Sequence, residues 1–221
     1  MSVWSALAAA AAVLLMATLA RPALRGLPEP VLGEGEVKVA YADLASTRFV
    51  VVCASLAGVG VLVPALTLPA ALLPMWWVLA GPTLLLAAVD ARTTWTPLPL
   101  QRVCSIAMVT AVAVTFAWTR DVELLGRTAA GASAAFVLFW LLRNLTGGGM
   151  GYGDVRAAPL IGAAAAATGW SMWVTTFLLA SLVGIATGVV LALRGRRAGF
   201  ALVPAMVLGA YLACGARWLE R

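Results

Sequence analysis

Any acid–base chemistry in this chain has to come from its carboxylates. The sequence holds nine Asp and Glu residues, a single lysine and no histidine. Without histidine, neither a Ser-His nor a Cys-His dyad can be assembled. Lys38, the one lysine, sits in a polar stretch and reads as a solvated loop charge. Cys53, Cys104 and Cys214 are scattered with no CxxC pair, which argues against a zinc site and a thioredoxin-type redox motif.

Seven of the acids have ordinary explanations. Glu29, Glu34, Glu36 and Asp43 lie in 21–48, a Pro/Gly-rich charged stretch that suggests a flexible connection. Asp121 and Glu123 share a short segment with Arg120 and Arg127, which reads as a solvated charge cluster, and Glu220 stands at the end of the sequence. Asp90 and Asp154 are placed differently. Asp90 ends a predicted helix directly after the apolar run from Leu84 to Val89. Asp154 opens another, after Gly147-Gly148-Gly149-Met150-Gly151-Tyr152-Gly153. A carboxylate at a helix N-terminus is favourable, so Asp154 could simply cap. Asp90 fits that role badly, because a carboxylate at a helix C-terminus opposes the dipole.

Two such carboxylates that approach each other cannot both ionise easily and come to share one proton. One then acts as the base that activates water for attack on a peptide carbonyl. The other is the acid that protonates the carbonyl oxygen or the leaving amine. This chemistry calls for no metal, no cofactor and no nucleophilic side chain. Gly151 and Gly153 suit it, since a backbone without Cβ can turn tightly and lie close to a partner segment or an extended substrate. A substrate must be unwound to be cut, and it needs backbone partners while unwound. A lone Gly-x-Gly-Asp turn is weak support, because Gly-rich turns between helices are common.

The elements that carry these residues are membrane helices. Of the 221 residues 63% are hydrophobic and 11% charged, against roughly 25% charged in a soluble domain. The mean hydropathy is +0.99. No soluble core of this size could bury so much apolar surface, so the bilayer is the solvent. Apolar runs predict spans at 3–20, 49–67, 71–89, 103–118, 124–142, 155–169, 172–193 and 200–216. Backbone groups in lipid must bond internally, so these are helices, and Pro64, Pro82, Gly184 and Gly188 inside them are tolerated. The expected fold is all-α: one polytopic membrane bundle of about eight helices over 1–221, with 21–48 as a short cytoplasmic loop.

Sidedness follows from the basic residues. With the N-terminus outside, eleven of them (Arg21, Arg25, Lys38, Arg48, Arg92, Arg102, Arg143, Arg156, Arg194, Arg196, Arg197) lie cytoplasmic, and four (Arg120, Arg127, Arg217, Arg221) lie outside. Topology thus explains the net charge of +6, and no nucleic-acid partner is needed. Asp90 and Asp154 both fall at the cytoplasmic face, and an ionisable group at a membrane boundary is a functional candidate. Trp76, Trp77, Trp118, Trp170, Trp173 and Trp218 fall near outer ends and Trp95 and Trp140 near inner ones, as lipid-interface anchors would. Residues 1–20 lack a basic n-region and are followed by Arg21 and Arg25, so they read as an uncleaved first helix. Gly184 with Gly188, and the run Ala163–Ala167, read as close-packing surfaces. Arg156 reads foremost as a positive-inside anchor, and could also pair with a carboxylate or attract an acidic group of a substrate.

The run Gly151-Tyr152-Gly153-Asp154-Val155-Arg156, followed by Ile161-Gly162 and Gly169-Trp170, resembles the second catalytic segment of the type IV prepilin peptidase family of GxGD intramembrane aspartyl proteases. In that family the first catalytic Asp ends a helix and is followed seven residues later by Pro, as Asp90 is by Pro97. Leu98, Pro99 and Leu100 stand where the family usually has a further polar residue. The segment Val203–Ala210 resembles the family's Pro-containing final helix, and the resemblance covers 70–216. It implies an aspartic-type endopeptidase of the bacterial cytoplasmic membrane, with Asp90 and Asp154 as the dyad and Gly151 and Gly153 as backbone support. It would cut the basic leader of a prepilin or pseudopilin at the cytoplasmic face, after a Gly. Larger members also methylate the new N-terminus with S-adenosylmethionine, and carry a cytoplasmic domain often marked by CxxC pairs. The loop 21–48 is short and has no Cys, so methylation is not assigned. Two other readings stand beside this one: a proteolytically silent pilus-assembly scaffold, and a transporter using the two Asp as a proton or cation relay. The second would place the acids at mid-membrane depth.

Overall fold

The computed structural model describes residues 3–29, 39–147, 149–195 and 201–219. Glu34, Glu36, Lys38, Gly148, Arg196, Arg197, Glu220 and Arg221, with the side chain of Trp218, lie outside the described residues. Every regular element among the described residues is a helix. The segments are α1 (Val3–Arg25), α2 (Thr47–Thr67), α3 (Leu73–Val78), α4 (Leu84–Thr93), α5 (Leu98–Thr119), α6 (Val122–Leu145), α7 (Tyr152–Thr168), α8 (Trp170–Leu193) and α9 (Val203–Leu219). A π turn, Leu79–Thr83, joins α3 and α4 into one span, so eight helical passages correspond to the eight expected. The chain is a multi-pass helical membrane bundle.

The break between α3 and α4 has a sequence cause. Pro82 has no N–H to give and its ring crowds the carbonyl one turn back. The helix widens there by one residue, and Gly81 absorbs the distortion at φ −98, ψ −105. Pro64 in α2 is carried without such a break, and the amide of Leu68 closes the helix onto its carbonyl at 2.8 Å.

Six passages are long and apolar enough to cross a membrane. The helices α7 and α9 are shorter, at 17 residues each. At 1.5 Å per residue that is about 25 Å, less than the ~30 Å hydrocarbon core. Their position explains the difference. In α7 twelve of the 17 residues are buried by protein, so this helix need not match the lipid. It runs along α6 and also meets α5, α8 and α9, while α9 reaches α2 and α4.

Small residues permit this crowding. A Cβ on Gly131 of α6 would lie 2.0 Å from the Ala166 Cβ, and one on Gly162 of α7 would lie 2.6 Å from the Ala135 Cβ. The Ala163–Ala167 run is fully buried, as a close-packing surface should be. On α9, a Cβ at Gly209 would lie 2.5 Å from the Ala180 amide of α8. Gly184 is buried and Gly188 half-buried, but the tight approaches just given lie elsewhere.

Three local expectations are corrected. Trp76 is not a lipid anchor: it is fully buried, and its indole N–H donates to Thr168 Oγ1 at 3.3 Å. Arg127 is more than a solvated charge, since its Nε and Nη2 donate to the Ala166 and Ala167 carbonyls and cap the C-terminal end of α7. Residues 39–46 are not a loose connection. Tyr41, Leu44 and Ala45 are buried in the core, and the Glu29 carboxylate accepts from the Tyr41 and Ala42 amides at 3.1 and 3.3 Å. Those side chains are apolar enough to fold back onto the bundle.

The α6–α7 contact gives a direct test. Gly131→Ala should lower stability by about 1–3 kcal/mol through overpacking. Gly126→Ala, on the same helix with nothing within 4 Å, should leave it unchanged or slightly raised. Thermal unfolding of both variants in detergent checks this.

Candidate active site

Asp90 and Asp154 come from different helices and meet at one end of the bundle. Asp90 lies one turn before the end of α4 rather than at its last residue, and is 3% exposed. Asp154 sits in the first turn of α7 and is 7% exposed. Each lies within the other's electrostatic reach, and the backbone amide of Val203, where α9 begins, reaches both carboxylates. The Leu202 amide adds a second contact to Asp154. These are amides that a helix N-terminus leaves without an internal partner, and they point positive ends at the acids.

Local sequence fixes each acid separately. Gly151 is the N-cap of α7, and Asp154 at the third helical position, its amide donating to the Gly151 carbonyl at 3.2 Å, turns its carboxylate toward the Gly151 backbone. A Cβ at Gly151 would stand 3.2 Å from Asp154 Oδ2. The Asp90 carbonyl accepts from the Thr94 amide at 2.7 Å, and Thr94 turns the chain in the left-handed region at φ 56. Thr93 Oγ1 then binds the Val89 and Trp95 carbonyls and accepts from the Trp95 amide, holding the connection to α5. One oxygen of Asp90, Oδ2, is buried with no hydrogen-bond partner. That leaves it open to a proton or a water.

Residues that the sequence did not single out complete the surroundings. Gly153 lies against Thr96, so close that an added Cβ would fall 1.9 Å from Thr96 Oγ1. This contact joins the two segments that carry the acids. Tyr41 is 2% exposed and lies near Asp90; burial first, then the charges of Glu29 and Asp90, push its phenol above the usual tyrosine range. Gln101, one turn after Pro97, is buried and donates to the Arg156 carbonyl at 3.0 Å, tying α5 to α7. Nothing in the local spacing could have found Tyr41 or Thr96, because both act across long stretches of chain.

The face that carries the acids also carries basic groups. The Arg143 and Arg156 guanidinium carbons lie 5.5 and 4.6 Å from the Tyr152 ring centroid, and Arg143 donates to the Met150 carbonyl. The arrangement brings together two buried carboxylates, polarised by helix-end amides, beside a glycine turn packed against Thr96. It can move protons to and from a bound carbonyl and water. Among the described residues no cluster of three or more metal-ligating side chains occurs.

Packing at Gly153 is testable without reference to chemistry. Gly153→Ala should lower the unfolding temperature in detergent, and adding Thr96→Gly should restore most of the loss, because it removes the atoms the new methyl would strike. A loss unaffected by Thr96→Gly would contradict the contact.

Comparison with curated proteins and with solved structures gave no match. A family model does match: that of the type IV leader peptidase family, over residues 77–189, which holds both Asp90 and Asp154. The match spans half of the chain, and the chain belongs to the type IV leader peptidase family.

Proposed function

We propose that this protein is a membrane aspartyl endopeptidase that removes the leader of a type IV prepilin or pseudopilin at the cytoplasmic face of the bacterial membrane, with Asp90 and Asp154 as its dyad. Family membership supports an aspartic-type peptidase. The observation that carries the assignment to these residues is the pairing of two buried carboxylates at the Val203 amide.

The chemistry runs on one shared proton. The charged member of the pair takes a proton from water as that water attacks the scissile carbonyl. The protonated member gives its proton to the carbonyl oxygen, leaving a gem-diol. The proton taken from water then passes from the first carboxyl to the leaving amine as the C–N bond breaks, and a gem-diol hydroxyl returns a proton to the dyad. The titration belongs to the pair, so neither acid is permanently base or acid. Gly151 and Gly153 let the two acid-bearing segments approach each other, Gly153 against Thr96, while the extended substrate segment needs backbone partners away from bulk water. The excess of Arg on this side fits a cytoplasmic location.

Asp90→Asn and Asp154→Asn keep shape but remove proton transfer. Each should reach the membrane at normal levels and lose at least about 100-fold in cleavage rate. Coexpression with a prepilin from the same cell, followed by mass measurement of the pilin, checks this. Mature pilin produced at the wild-type rate by Asp154→Asn would overturn the proposal.

A further inference from the structure

Beside α7, on the flank away from α9, α5 and α6 lean apart. They touch each other far less than α6 touches α7, and between them opens a groove of about 640 Å³. Its floor is one face of α7: Arg156, Pro159, Leu160 and Ala163, at helical spacing. Along α5 the lining runs from Leu98 to Val112, which at 1.5 Å per residue is about 20 Å of membrane depth. Ile106 and Val109 on one wall and Phe136 on the other are exposed apolar side chains.

The groove is charged only at the end that holds the dyad. Gln101, Arg102 and Arg156 line it there, and Arg156 lies two residues beyond Asp154. Arg102 and Arg156 are exposed, and among the described residues neither has a carboxylate partner. No acidic residue lines the groove. A phospholipid meets the apolar walls with its tails and the guanidinium groups with its phosphate, and is the competing occupant that crosslinking separates; what favours a protein helix is that the charged end lies two residues from Asp154. An apolar helix with an acidic side chain in its first turns satisfies walls and guanidinium groups alike, since an acid entering the membrane edge needs a cation. A helix starting at this end would also bring its preceding, unwound residues to the dyad side of α7.

We infer that this groove seats the membrane helix of the substrate, with an acidic group near the start of that helix meeting Arg102 and Arg156. The inference rests on the proteolytic reading for the identity of the occupant, and it assigns that occupant a place. The scissile bond then lies just ahead of the helix. Specificity comes from the match of helix and groove as much as from residues at the cut.

The test uses the full chain carrying Asp154→Asn, with a photoreactive amino acid at Val109 or, as control, at Leu182, which is lipid-facing on α8. A coexpressed prepilin should crosslink from Val109 and not from Leu182. Ala129→Trp and, from the other wall, Ile106→Trp should fill the groove and weaken that crosslink, and the same two substitutions in the chain with Asp154 intact should raise KM for the membrane-inserted prepilin by about ten-fold or more. The double variant Arg102→Gln, Arg156→Gln should weaken the crosslink too. Crosslinks to lipid alone, equal crosslinks from Leu182, or a KM unchanged by both Trp variants would overturn the inference. The two claims fail separately. Wild-type cleavage without a Val109 crosslink removes the groove and keeps the protease. A Val109 crosslink without wild-type cleavage keeps the groove and removes the protease.

Discussion

Two carboxylates buried near one another in an apolar bundle are costly, and the fold is organised around bearing that cost. Each must lose water, and each feels the other. What offsets the penalty is backbone. The first amides of α9 reach both acids, and the capping turn at Gly151 holds Asp154. A helix N-terminus is one of the few sources of fixed positive potential that needs no charged side chain. It is well suited to a site where the full charge of a Lys or Arg would hold both carboxylates ionised and expel the shared proton.

That requirement propagates outward. For α9 to begin beside both acids, it must contact α4 and α7 together, which draws both into the interior. An interior α7 can be short, rich in alanine and glycine, and capped by Arg127 at its far end rather than by water. The same crowding forces glycine at 131, 162 and 153, where any side chain would strike a neighbour. On the other flank Gln101 ties α5 to α7 at the end that holds the dyad, while α5 and α6, joined by a short turn at the opposite end, make few contacts with each other. Rigid support of one acid and an open lateral groove are thus two consequences of one packing arrangement.

Much of the architecture was legible in the sequence. The eight passages could be read from apolar runs, because a bilayer imposes length and hydropathy on each helix independently. Asp90 and Asp154 stood out because acids are rare in this chain and these two adjoin apolar helices. What escaped reading depends on three-dimensional pairing. Trp76 looks like an interface residue in sequence, yet Thr168, 92 positions away, draws it inside. Residues 39–46 look like a loop, but Glu29 and the apolar side chains of Tyr41 and Leu44 fold them in. The amides of Leu202 and Val203 carry no side-chain signature at all. The short α7 could not be distinguished from a lipid-spanning helix, because alanine is compatible with both surroundings.

The central claim is that two remote carboxylates stand face to face at the start of α9. Paired cysteines measure this most directly. In a chain with Cys53, Cys104 and Cys214 replaced by Ala, Asp90→Cys and Asp154→Cys can be treated with a short thiol-to-thiol crosslinker in intact membranes. Asp90→Cys with Asp121→Cys, at the opposite end of the bundle, serves as the control. Proteolysis at a site introduced between Thr94 and Pro97, which separates residue 90 from both 121 and 154, followed by electrophoresis then reports the link. The account predicts that the two halves stay joined for the Asp90–Asp154 pair and separate for the control. Separation of both pairs, with each cysteine shown to react singly, would contradict it.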